Sequence, residues 1–137
     1  MKNLFSSRIA IGATNFALLF LRLAIGVLMT PIGYEKLMNY ATMKTQFMPF
    51  MGLPPAGALV LVIFAEFFCS ILLALGLATR LAAFVLVINM FMAVFLGHAG
   101  DFLGEGQKAT LFLIPYIFLL ITGPGAYSID GLIKKRK

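Results

Sequence analysis

The chain is short of charge, cysteine and histidine. Only 12% of its 137 residues are charged, five of them acidic, and it carries one cysteine and one histidine. Soluble domains hold about twice that share of charge. With a single cysteine, Cys69, no intramolecular disulfide scaffold can form, and thiol–disulfide exchange would need a partner protein. One cysteine and one histidine also cannot hold a conventional redox centre or a zinc site unaided. Walker loops, dinucleotide fingerprints and haem-attachment motifs are missing. No metal and no tightly bound cofactor are therefore expected.

Apolar residues fill the space that charge leaves. Hydrophobic residues make up 61% of the chain, and mean hydropathy is +1.00. A soluble domain of this length could not bury that much apolar surface, and disorder is excluded for the same reason. The composition specifies an all-α integral membrane protein. At about 20 residues per crossing, the length allows four spans. They are expected at about 15–37, 56–77, 81–98 and 103–122, forming one four-transmembrane-helix bundle over residues 1–137. Three prolines, Pro49, Pro54 and Pro55, mark the loop after the first span. The spacing of Met43, Phe47 and Met51 predicts a short interfacial or re-entrant segment there. Thr79-Arg80 reads as a tight turn between antiparallel helices, and Pro115 as a kink in the last span. No cleaved signal is expected, because the apolar stretch after the N-terminal head is long and contains Arg22.

The net charge of +6 would ordinarily raise nucleic acid as a partner. Here four of the eleven basic residues are the last four, Lys134 to Lys137, which reads as a topology signal and a contact with anionic lipid. Lys2, Arg8, Arg80 and the four tail residues place seven basic residues on one side, against Lys36, Lys44 and Lys108 on the other. The expected orientation has both termini cytoplasmic in an inner (cytoplasmic) membrane. The lipid bilayer is then the first partner, and self-association is left open.

Charge inside hydrocarbon needs an explanation. Arg22 is expected roughly 10 Å into its span, Glu66 roughly 16 Å and Asn89 roughly 12 Å, all measured from the same side. Three polar side chains from three helices would thus meet at one level. Cys69 and Ser70, three and four residues beyond Glu66, share its face. Two readings stand: a buried pair that fixes helix packing, or a polar pocket for a quinone head group, a proton or another small ligand. Glu35, Lys36, His98, Asp101, Glu105 and Lys108 form a second, outward group. It is either ordinary interfacial charge or a mouth, with Glu105 and Lys108 spaced to pair. Lys36 lies fourteen residues after Arg22, so their faces differ by about 40°. Met38, Met43, Met48 and Met51 offer soft ligands for Cu(I), but their spacing matches no defined motif, and methionine is a common gap filler.

These residues fall within phrases that resemble the DoxX family. Leu21-Arg22-Leu23-Ala24-Ile25-Gly26 resembles its opening helix, and Gly33-Tyr34-Glu35-Lys36-Leu37 the end of that helix. Gly52-Leu53-Pro54, then Glu66 and Leu75-Gly76-Leu77-Ala78-Thr79-Arg80, are similar to the start, the acid and the closing turn of the second. Gly123-Pro124-Gly125-Ala126-Tyr127-Ser128-Ile129-Asp130 is similar to the C-terminal phrase. Ile32 stands where the family often has a histidine, so no role of that residue carries over. The resemblance implies a four-helix bundle. It also implies a link to a thiosulfate:quinone oxidoreductase membrane subunit, or to membrane complexes handling thiol and oxidative stress. A quinone and a redox partner protein are the ligand and partner so implied. A small-molecule carrier and a non-catalytic assembly factor are the other readings.

Overall fold

The computed structural model describes residues 6–47, 49, 52–97, 99–104 and 106–136. Every regular element among them is helical. Helix α1 spans Ile11–Met38, and α2 is the single turn Tyr40–Met43 in the loop that follows. Helix α3 runs Pro55–Leu75, with a π-helical stretch at Phe64–Cys69; α4 runs Thr79–Gly97 and ends in a second π-helical stretch, Ala93–Gly97. Helix α5 is Gln107–Thr122 and α6 is Ile129–Arg136. Three of these, α1, α3 and α4, are long and apolar enough to cross a membrane; α5, at 16 residues, is shorter. Within the fourth span expected at about 103–122, the regular helix starts at Gln107. The segment before it is a glycine-bearing turn in which Gly104 N–H donates to Asp101 Oδ1 at 2.8 Å.

One helical face of each long element is buried. On α1 these residues are Leu18, Arg22, Ile25, Gly26, Met29 and Gly33; on α4 they are Thr79, Ala82, Ala83, Leu86, Met90 and Val94. Steps of three and four residues generate such a stripe on a 3.6-residue repeat. The stripes meet in one core, to which α5 adds Leu113, Tyr116 and Leu119. Helix α1 packs on α3, α3 on α4, and α4 on α5, while α1 also touches α5. Small residues such as Gly26, Ala65, Ala82 and Ala83 let the helices approach closely, as packing in lipid requires. The opposite faces expose Phe16, Phe20, Val27, Ile114, Phe118 and Ile121. That outward apolar surface is what a bilayer covers.

The turn between α3 and α4 lies at residues 76–78, one step before Thr79-Arg80. Leu77 N–H donates to the Leu72 carbonyl at 2.9 Å and Gly76 N–H to that of Leu73 at 3.1 Å. This pair of bonds closes a helix on a left-handed residue, and Gly76, at φ +75°, supplies it without a Cβ penalty.

Candidate functional site

The buried polar residues fall into two groups, one at each end of the α1–α3 contact. The first is built on Glu66, which lies within the π-helical stretch of α3 and is only 4% exposed. Lys36 Nζ, from α1, donates to Glu66 Oε2 at 2.5 Å, and Asn89 Nδ2, from α4, donates to Glu66 Oε1 at 3.1 Å. Three helices thus hold one carboxylate, and both of its oxygens are bonded. Gly33 makes the approach possible: a Cβ there would lie 2.6 Å from the backbone of Glu66 and Phe67. Such a contact demands that one helix backbone shift. Tyr34 and Phe67 pack beside it with ring centroids 6.1 Å apart.

Asn89 faces two environments. Besides bonding Glu66, it lines a groove of about 240 Å³ between α3 and α4 whose other walls are Leu61, Phe64, Ala65, Val85, Ile88 and Met92. The Asn89 amide is the polar point on an otherwise apolar surface. Deeper in the bundle, Ser70 and Tyr116 are fully buried, and their hydroxyls make no hydrogen bond of acceptable geometry among the described residues. Cys69 is buried beside them as a free thiol.

The second group is built on Arg22, whose guanidinium is fully buried. Arg22 does not take Glu66 as its partner, so the expected cluster of Arg22, Glu66 and Asn89 is divided. Its Nη1 donates to the carbonyls of Leu73, at 3.5 Å, and Ala74, at 3.1 Å, and its Nη2 to that of Tyr127. The reason is helix register. Gly26 abuts Ser70 and Ala74, and Gly33 abuts Glu66 and Phe67, so antiparallel α1 and α3 place Glu66 level with Gly33. That level is eleven residues, or roughly 16 Å, beyond Arg22. The first turns of α1 extend past the end of α3 and pack on the C-terminal segment, where Ala126 N–H donates to Asn15 Oδ1 at 3.0 Å. Depths counted from helix ends assumed flush ends, and these are not flush.

Asp130 completes this second group, and the sequence reading did not single it out. Its Oδ1 accepts from Ala78 N–H at 2.8 Å and its Oδ2 from Thr79 N–H at 2.9 Å, capping α4 from a segment some fifty residues away. Asp130 N–H returns a bond to the Gly76 carbonyl at 2.9 Å. Positive Arg22 therefore sits at the carboxyl end of α3 and negative Asp130 at the amino end of α4, each favourable to the helix dipole it meets. Burial alone would raise the Asp130 carboxyl. The Thr79 and Ala78 N–H groups and the Arg22 charge outweigh burial and hold it below the ordinary aspartate value.

The outward group is only partly assembled. Lys36 has turned inward to Glu66 and belongs to the buried site. Glu35 and Lys108 are exposed, and Asp101 accepts from Gly104 N–H within its own loop. His98 and Glu105, and with Glu105 the expected pairing to Lys108, lie outside the described residues, as do Met48 and Met51.

The phrases that carry the family resemblance sort onto these two groups. Those around Arg22, Gly76 and Asp130 interlock at one end, while those around Lys36 and Glu66 meet at the other. The DoxX family profile matches residues 17–99. The chain is 33% identical to inner membrane protein YqjF of Escherichia coli over 128 residues, covering 89% of this chain and 95% of the relative. It is 29% identical over 129 residues to inner membrane protein YphA of the same organism, covering 87% and 91%. It is 33% identical over 131 residues to the uncharacterized membrane protein Rv3486 of Mycobacterium tuberculosis, covering 85% and 80%. No solved structure matches. On the family profile and near full-length likeness to inner membrane relatives, this chain belongs to the DoxX family.

Proposed function

We propose that this protein is the quinone-facing membrane subunit of a redox system that handles sulfur compounds or thiols. One observation carries the reading: Asn89 is both a ligand of the buried Glu66 and the polar point of an apolar groove between α3 and α4. A lipid-soluble molecule with a polar head fits such a surface. Its ring or tail would lie against Phe64, Val85 and Ile88, and its head group would meet the Asn89 amide. A bound quinone would supply an acceptor for two electrons and two protons. Glu66 orients the Asn89 amide, and Lys36, whose side chain is 24% exposed, links that carboxylate to the less buried end of the site. The electrons would come from a partner protein, since the chain has one cysteine and one histidine. We place both termini in the cytoplasm on the seven-to-three count of basic residues, which reporter fusions at residues 45, 79 and 103 test.

The test is binding of a short-chain quinone to the purified protein, followed by quinone reduction with thiosulfate in the presence of co-purified partners. Asn89→Leu should weaken quinone binding about ten-fold or more, the scale of one lost polar contact, while exposed Lys44→Gln leaves it unchanged. Unaltered binding by Asn89→Leu would overturn the proposed site. Solute movement in proteoliposomes without any redox change would identify a carrier instead.

A further inference from the structure

We propose that the recess between the 123–126 turn and α6 binds the phosphate of an anionic phospholipid headgroup. The recess has a volume of about 470 Å³ and is lined by Gly125, Ala126, Gly131, Lys134 and Lys135. At 100° per residue, Gly131, Lys134 and Lys135 fall in one arc of about 100° on α6, and Ile129, Leu132 and Ile133 fall in another on the opposite side. Helix α6 thus turns Lys134 and Lys135 to the recess and Leu132 and Ile133 away from it, with Arg136 between those two on the far side.

The described residues leave the apolar side chains of that far side uncovered: Leu132 is 61% exposed and Ile133 46%, with Tyr127 at 55%. Residues of this kind on a short helix next to a membrane span lie among acyl chains at the headgroup boundary. The recess is then held at phosphate depth.

Its charge points the same way. Among the described residues, Lys134 and Lys135 have no ion-pair partner. Asp130, the acid of this segment, has both oxygens committed to the N–H groups of Ala78 and Thr79. The recess thus offers two exposed ammonium groups that no acid of the described residues neutralises. The recess is also built in advance of any ligand. Ser128 Oγ donates to the Gly125 carbonyl at 2.8 Å and accepts from Gly131 N–H at 3.0 Å, and Asp130 ties α6 to the 76–79 turn. Two ammonium groups over a floor of side-chain-free backbone suit a phosphodiester, whose charge sits on exposed oxygens.

Native mass spectrometry of the full-length protein in detergent tests this. Phosphatidylglycerol, phosphatidylcholine with the same acyl chains, and inorganic phosphate are the three probes. Phosphatidylglycerol should be retained at least about ten-fold better than phosphatidylcholine. The double substitution Lys134→Gln/Lys135→Gln should lower its affinity roughly twenty-five-fold, about five-fold per lysine, with helical content and melting temperature unchanged. The control Lys44→Gln/Lys108→Gln, one in the loop after α2 and one in the first turn of α5, should leave it unaltered. Equal retention of both lipids, or equal loss in the control, would overturn the site. If inorganic phosphate binds as tightly as phosphatidylglycerol, the recess takes free phosphate and the lipid assignment fails.

Discussion

Lys36 and Glu66 lie thirty residues apart in the chain, on different helices, and their charged atoms stand 2.5 Å apart. Glu66 is almost fully buried while Lys36 keeps partial exposure, so the pair spans the boundary between the core and its surroundings. Removing Lys36 leaves the Glu66 charge stranded at a depth where that costs about 3–5 kcal/mol, and removing Glu66 costs less because Lys36 is part-exposed. Glu66→Gln keeps the amide-sized volume and the Asn89 contact, yet strands Lys36. Lys36→Met and Glu66→Gln should each lower the thermal midpoint in detergent, and the double variant should recover much of the loss. Additive losses in the double variant would show that the two side chains do not act as a pair.

The same contact depends on Gly33. An added Cβ would meet backbone atoms of Glu66 and Phe67 at 2.6 Å, and backbone cannot rotate away as a side chain can. Gly33→Ala should cost about 1–3 kcal/mol of stability, and Gly33→Leu should abolish folded protein. Size-exclusion profiles and melting curves in detergent read both. A Gly33→Ala protein as stable as the parent would mean that α1 and α3 stand further apart than described.

Much of the fold was legible from residue order. The long apolar runs and the punctuation by Pro55, Gly76 and Gly123 set the helix ends to within a few residues. Glu66 and Asn89 were legible too, since a polar group in an apolar span must find a partner. The identity of that partner was not. Whether Glu66 meets Arg22 or Lys36 depends on the offset between α1 and α3, which is fixed by Gly26 and Gly33 seating against the opposite backbone. Such an offset leaves no periodic trace in either sequence. The π-helical stretch at Phe64–Cys69 and the capping of α4 by Asp130 escaped for similar reasons. One is a local change of helical pitch, and the other joins segments about fifty residues apart.

Asp130 makes stability depend on pH in a defined direction. Its carboxyl is held below the ordinary aspartate value of about 3.9. A depressed folded-state value means the contribution is present above the unfolded value and is lost as pH falls through the folded one. Above about pH 5, Asp130→Asn should melt below the parent, by the roughly 0.5–2 kcal/mol of a lost helix cap. The two melting curves should converge as pH falls below the ordinary aspartate value and through the lower folded-state one. A gap that persists unchanged at acid pH would assign the effect to packing instead of charge.

Arg22 and Glu66 are the two charges most deeply buried among the described residues, and the register of α1 against α3 separates them by roughly 16 Å. Among the described residues, Arg22 bonds only main-chain carbonyls at the end of α3 and in the 127 segment, and Glu66 bonds only Lys36 and Asn89. Sites this far apart without a shared partner have additive effects, to within about 0.5 kcal/mol. Arg22→Met should destabilise by about 3 kcal/mol, since it strands carbonyls in a buried turn, and Arg22→Lys should recover only part, lacking the guanidinium fork. Combined with Glu66→Gln, Arg22→Met should give the sum of the two single losses. Quinone binding should follow Glu66→Gln alone and be indifferent to Arg22→Lys. A coupling energy above about 1 kcal/mol between positions 22 and 66 would return the two charges to one cluster and undo the division of the bundle into a buried site and a separate interlocked end.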